Sequence, residues 1–246
     1  MDSLHVVTYN IHKGFSQFKR RMSVHDLRDQ LRKIGADLVF LQEVQGLHEK
    51  HAERHADWPA APQHEFLADS LWNEFSYGRN AVYESGHHGN AILSKYPIVK
   101  SDNLDVSMHR SESRGMLHCE IEIPGWNHHL HCINVHLGLL GRWRKKQIAL
   151  LNARIEREVP PGAPLIVAGD FNDWRRRASS ALDVTEVFEN TAGLPARSYP
   201  AILPFLRLDR IYVRGFSIRI AHAHRGRTWS RVSDHVALSA LLDRKR

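Results

Sequence analysis

Apolar side chains recur along this chain in short strand-like runs rather than in long helical stripes. Residues 4–9 and 38–41 open it as two strands, and Leu165-Ile166-Val167-Ala168 reads as a strand buried on both faces. Residues 81–83 and 90–93 predict a hairpin with His87-His88-Gly89 in its loop. Residues 116–123 and 129–137 predict a second hairpin, turned by Pro124-Gly125-Trp126-Asn127. Further strands are expected over 208–213, 216–222 and 236–242. Helical spacing appears at Val24, Leu27, Leu31 and Ile34, ending at Gly35. Residues 64–72 predict a short helix, and 143–159 a longer one stopped by Pro160-Pro161. Many strands, few helices and hairpin connections argue against a doubly wound parallel sheet. Two sheets packed face to face with helices outside fit better. No repeat, low-complexity tract or linker divides the chain, so one domain is expected over 1–246.

Polar residues gather where these runs end. Gly169-Asp170-Phe171-Asn172-Asp173 follows the 165–168 strand. A carboxylate and an amide two residues apart at a strand end point the same way and suit holding a water molecule. The plain alternative is a turn, since Gly, Asp and Asn form turns. Four other segments favour chemistry: Thr8-Tyr9-Asn10-Ile11-His12, Leu41-Gln42-Glu43, Asn134-Val135-His136-Leu137 and Ser233-Asp234-His235. Their side chains are those that hold a hard divalent cation and move protons.

In this order, from Asn10 to His235, the segments resemble the endonuclease/exonuclease/phosphatase superfamily of DNase I type enzymes, exonuclease III type repair nucleases and neutral sphingomyelinases. The resemblance implies an α+β fold, a four-layer α/β/β/α sandwich of two mixed sheets with the site where the sheets' loops meet. It implies a Mg2+-dependent phosphoric ester hydrolase, Mn2+ being the alternative ion. Glu43 is then the main metal ligand, with Asn10 supporting metal or phosphate and Asp234 facing the metal. Asp170 accepts a hydrogen bond from the attacking water, and Asn172 donates to a phosphate oxygen. His235 binds the scissile phosphate, Asp209 orients its imidazole, and His136 contacts phosphate or leaving group. Plain readings stay open: an ion pair of Asp209 with Arg207 or Arg210, and a structural strand histidine at 136. Arg114 matches a phosphate-contacting loop, His88 is a further phosphate contact, and Asn90 helps to position substrate. The repair nucleases carry an Asp two residues after the first Asn. This chain has His12 there, which weakens the case for abasic-site repair. Asn10-Ile11-His12-Lys13-Gly14 and Gly86-His87-His88-Gly89-Asn90-Ala91 look instead like a bacterial subgroup often encoded beside cardiolipin synthase.

A formal net charge of +7 favours a polyanionic partner, nucleic acid or an anionic membrane surface. Two basic segments flank the expected site: Arg175-Arg176-Arg177, and Arg142, Arg144, Lys145 and Lys146. Leu139, Leu140 and Trp143 are interleaved with the second. They could dip into an anionic membrane, stack on or wedge into nucleic acid, or simply be buried. A nuclease is ranked first and a phospholipid or headgroup phosphodiesterase second. A non-catalytic polyanion- or membrane-binding module stands third. No obligate protein partner is read. Cys119 and Cys132 lack zinc-site spacing and read as buried thiols, opposite each other in the hairpin. The first residues have no basic, apolar leader pattern, so a cytoplasmic location is expected, with peripheral inner-membrane contact as a variant.

Overall fold

The computed structural model describes residues 2–17, 21–110, 112–174 and 182–245. The chain opens with β1 (Ser3–Asn10), α1 (Val24–Ile34) and β2 (Leu38–His48). The short helices α2 (Glu49–Arg54) and α3 (Gln63–Ala68) and the hairpin β3 (Glu74–Tyr83) and β4 (Gly86–Ser94) follow. Next come β5 (Ile98–Asp105), β6 (Gly115–Ile121), β7 (Leu130–His136), α4 (Gly141–Glu158) and β8 (Leu165–Asp170). β9 (Thr185–Glu186), α5 (Val187–Ala192), β10 (Asp209–Arg214), β11 (Phe216–His224) and β12 (Ala237–Arg244) complete it. Two six-stranded sheets result: sheet I in the order β11-β12-β1-β2-β4-β3, and sheet II in the order β5-β6-β7-β8-β10-β9. β1 and β2 run parallel, as do β7 and β8, and each pair is joined through a helix. The other paired strands are antiparallel.

The two-residue side-chain period explains the layers. Leu4, Val6, Leu38 and Phe40 of sheet I meet Leu130, Cys132, Ile166 and Ala168 of sheet II in the central core. The alternate residues face outward. Val7, Tyr9, Val39 and Leu41 pack on Leu27 and Leu31 of α1 and Leu67 of α3. Ile133, Val135, Leu165 and Val167 pack on Ile148, Leu151 and Ile155 of α4. The fold is therefore the expected four-layer sandwich, and strands covered on both faces read as continuous apolar runs. α1 has the expected bounds because Gly35 takes the left-handed conformation, φ 61°, that closes the helix. Cys119 and Cys132 are cross-strand partners, both buried and free.

Towards one end of the sandwich the inward rows turn from apolar to polar. Leu4 and Val6 give way to Thr8 and Asn10, and Leu38 and Phe40 to Gln42. Leu130 and Cys132 give way to Asn134 and His136, and Ile166 and Ala168 to Asp170. Asn134 pins the sheets together at this transition. Its amide donates to the carbonyls of Leu41 and Ala91 at 2.8 Å each, and its Oδ1 accepts from Gln42 Nε2 at 2.8 Å.

Candidate functional site

Strand register assembles one half of the site. His136 of β7 lies beside Asp170 of β8, and Asp170 lies beside Asp209 of β10. Partners in a ladder share a face, so the three side chains form one row. His235, just before β12, reaches across from sheet I: its Nδ1 and Asp209 Oδ2 are 2.8 Å apart. Its Nε2 faces Asp170 Oδ2 at 3.9 Å, and His136 Nε2 faces the same oxygen at 3.6 Å. Neither separation is a hydrogen bond. Asp170 Oδ1 accepts from the Asn172 backbone amide at 2.9 Å. Asp209 forms no ion pair with Arg207 or Arg210 among the described residues. The buried Arg210 guanidinium donates to the backbone carbonyls of Arg207, Asp209 and Asp173. Two serines complete the scaffold. Ser198 Oγ accepts from the Leu208 and Asp209 amides, and Ser233 Oγ donates to Asn10 O at 2.7 Å.

Sheet I supplies the other half. Asn10 Nδ2 donates to Asp170 Oδ2 at 3.2 Å and lies 3.5 Å from Glu43 Oε1, while Asn10 Oδ1 accepts from His12 N. Glu43 does not end its strand, as its sequence position implied. β2 continues to His48, with its register shifted between Leu41 and Val44. Glu43 sits in that bulge at φ 55° and is aimed towards Asn10. His12, Lys13 and Asn172 also have positive φ, so unusual backbone concentrates here. Asp234 is partly buried, 3.8 Å from His12 Nδ1.

The carboxylates are tuned in opposite directions. Burial pushes Glu43 up, but the positive potential of Lys13, His12, His235 and His88 outweighs it and holds the group below its ordinary value. Burial and the neighbouring Asp209 push Asp170 up to about 6, against His235. Burial alone would lower His235, but Asp209, Asp170 and Asp234 overcome it and keep an imidazolium. Burial and Arg114 depress His136 well below its ordinary value, so it is neutral. An imidazolium beside a carboxyl group that titrates near neutrality can exchange protons with a reacting group.

For a divalent ion, the donor chemistry is decisive. Asp170, Asp209 and His235 each bring a ligand atom within 4.8 Å of the others. Yet His235 Nδ1 is already taken by Asp209, so this trio works better as a proton-handling unit. Glu43 fits a hard cation: it stays charged, projects from a bulge, and has Asn10 beside it. The buried His12 Nδ1, His88 Nδ1 and Arg114 Nε have no hydrogen-bond partner, as expected where a polar occupant belongs.

The residue range that a family model matches decides the identity: the endonuclease/exonuclease/phosphatase model covers residues 7–235. The chain belongs to that family. Over 242 residues it is 49% identical to Escherichia coli K12 YbhP, spanning 97% of this chain and 95% of that protein. Solved family structures superpose at lower identity. The Beutenbergia cavernae endonuclease/exonuclease/phosphatase gives a TM-score of 0.77 at 17% identity, over 100% of this chain and 72% of that one. The Bacteroides vulgatus protein gives 0.75 at 17%, over 100% of both chains. D. rerio TDP2 complexed with single-strand DNA product gives 0.69 at 18%, over 98% of this chain and 99% of that one.

The structure places three of the polar residues named from the sequence in bonds of their own. Asn90 does not line the site: it is fully buried, and its amide donates to the carbonyls of Gly115 and Asn134, so it braces the sheets. One Asn172 amide hydrogen is committed to Leu137 O at 2.9 Å, leaving a single hydrogen for any phosphate. Arg144 is buried, donates to the carbonyls of Gly138 and Leu139 and faces Asp173, so it shapes a loop rather than contacting phosphate. His87 and His88 lie within β4, not in the hairpin loop. His88 and Arg114 instead line a cavity of about 370 Å³ with Glu112, Ser113, Leu139, Leu140 and Trp143. A larger cavity of about 790 Å³, bounded by Met22, His25 and Trp58 among others, contains none of the residues of the polar row. Arg175, Arg176 and Arg177 lie outside the described residues.

Proposed function

We propose that this family member is a metal-dependent phosphodiesterase that hydrolyses its ester by in-line attack of water. The observation that carries the reading is the row His136–Asp170–Asp209, closed by the His235–Asp209 hydrogen bond at 2.8 Å. Asp170 accepts the proton of the attacking water as its oxygen bonds to phosphorus. The opposite P–O ester bond breaks. His235, held by Asp209, donates Nε2–H to the phosphoryl group and assists proton movement to the departing oxygen. Neutral His136, the free Asn172 hydrogen, Arg114 and His88 contact the phosphate. Glu43, with Asn10 and Asp234, would hold Mg2+ or Mn2+, which would supply positive charge to offset that developing on the phosphate.

Hydrolysis of bis-p-nitrophenyl phosphate tests this with Mg2+, Mn2+ or EDTA. Metal-dependent release in the wild type, lost by about 10³-fold in a folded Asp170→Asn variant, is expected. Equal turnover by that variant, or turnover indifferent to EDTA, refutes it. A net charge of +7 and the likeness to TDP2 with its DNA product support a nucleic-acid substrate. The surface around the site favours a different one.

A further inference from the structure

Three loops leave the site, and each carries exposed apolar side chains. Leu139 and Leu140 follow His136, and are 56% and 45% exposed. Trp174 follows Asn172 and is likewise exposed. The third loop is a narrow hairpin closed by the bridge between Tyr199 and Leu206. Its tip presents Ile202, Leu203 and Phe205, which are 67%, 75% and 59% exposed. This hairpin is rooted in the site: Ala201 N donates to Asp234 O at 2.7 Å, and the Tyr199 and His235 rings lie 5.0 Å apart. These apolar side chains stay exposed among the described residues, and exposed apolar groups gathered on loops around one site mark a contact surface.

Exposed cations flank the patch. Arg225 donates to Arg197 O at the foot of the hairpin, and Arg142, Lys145 and Lys146 stand on the first turns of α4 beside Leu139 and Leu140. None of these five has an ion-pair partner among the described residues. We propose that the three loops seat the site on an anionic lipid surface, the apolar side chains entering the interface while the cations meet its phosphates. Charge complementarity fixes the sign of the surface. Leu, Ile and Phe without hydrogen-bonding partners suit hydrocarbon better than base edges. The cavity beside the loops brings Arg114, 3.9 Å from Glu112, and His88 together with Leu139, Leu140 and Trp143, so polar and apolar groups adjoin there, as an ester with a lipid chain requires. The substrate is then a phosphoester presented in that surface, an inference that rests on the hydrolytic reading above.

The test is co-sedimentation of the full chain with phosphatidylcholine vesicles, with and without about 40% phosphatidylglycerol. The wild type and Asp170→Asn should pellet with the anionic vesicles only, and high salt should weaken binding. The double variant Leu203→Glu/Phe205→Glu should lose at least about tenfold in vesicle affinity. Its melting temperature and its hydrolysis of bis-p-nitrophenyl phosphate should be unchanged. Wild type that ignores anionic vesicles overturns the proposal, as does a double variant that binds them equally well. So does a double variant whose only defect is lost oligonucleotide binding or lost self-association. Vesicle binding needs no turnover, so its failure is distinct from failure of the phosphodiesterase reading.

Discussion

Two parallel strand pairs, β1/β2 and β7/β8, are built alike and charged differently. Both are joined through a helix, and both sheets continue from them with antiparallel partners. Each pair ends at the site, the first with Asn10 and Glu43, the second with His136 and Asp170. Around Glu43 the neighbours are cationic, so its carboxylate is held charged. Beside Asp170 the closest influence after burial is another carboxylate, Asp209, so it hovers near neutrality. The same architecture thus yields one group suited to gripping a cation and one suited to taking a proton. Carboxylates pushed apart by their surroundings identify such a division of labour.

The sharpest way to break that comparison is a metal titration of two isosteric variants. Glu43→Gln should raise the half-saturating Mg2+ concentration by at least about tenfold, with activity partly restored at high metal. Asp170→Asn should instead stay about 10³-fold slow at every Mg2+ concentration. Indistinguishable titrations would show that the two halves share one role. A smaller effect, a loss on the order of 10²-fold, is expected for Asp209→Asn. NMR of the His235 ring gives the signature: an imidazolium throughout neutral pH in the wild type, and a ring deprotonated at a lower pH in the variant. If the titration does not move, Asp209 is not what holds the charge.

The smallest effect concerns stability and compares the sheets away from the site. His64 stacks on Tyr77 against sheet I, and His118 pairs with His131 in sheet II. Burial, aided by His87 for the first and by His131 and Arg154 for the second, pushes each down to about 4. With folded values below the unfolded 6.5, the unfolded chain takes up protons first. Their contribution is therefore complete above pH 6.5 and is lost as pH falls towards 4. Urea unfolding at about pH 7 and pH 5 should differ by roughly 1–2 kcal/mol per histidine, and His64→Phe should remove its share. A flat profile would show that these histidines titrate normally.

How much of this was readable in advance follows from the range of each interaction. The α1 boundaries and the residues of β8 depend on local spacing and a helix-ending glycine, and the sequence displays both. The resemblance gathers Asn10, Glu43, Asp170, Asp209 and His235 in order, but pairing brings them together from residue 10 to residue 235, and pairing is not local. The bulge that turns Glu43 inward is invisible because nothing in Gln42-Glu43-Val44 demands a left-handed backbone. The structural parts of Asn90 and Arg144 are hidden for a related reason: a buried amide or guanidinium committed to backbone carbonyls looks the same in a sequence as one free to meet solvent or substrate. Ser198, whose hydroxyl holds the Asp209 backbone, carries no signal, and the segment that contains Ser233 does not disclose its bond to the Asn10 backbone. β5 escaped notice because it is an edge strand with mostly exposed, polar residues. The duplicated strand order is likewise topological, with no repeat in the residues themselves.

The Asn134 brace has a consequence for tolerance. Two greasy sheet faces, pressed together, can shear past each other with little change in contact area. Here the row proposed to handle protons belongs mainly to one sheet and the carboxylate proposed to grip a cation to the other, and the proposed chemistry needs their oxygens within a few ångströms. Directional bonds from Asn134 to Leu41, Ala91 and Gln42 work like a dowel between two sliding plates. The brace sits one step behind the reacting groups and fixes their alignment, so that substitutions in the surrounding hydrocarbon can alter packing without moving the two halves out of reach of each other.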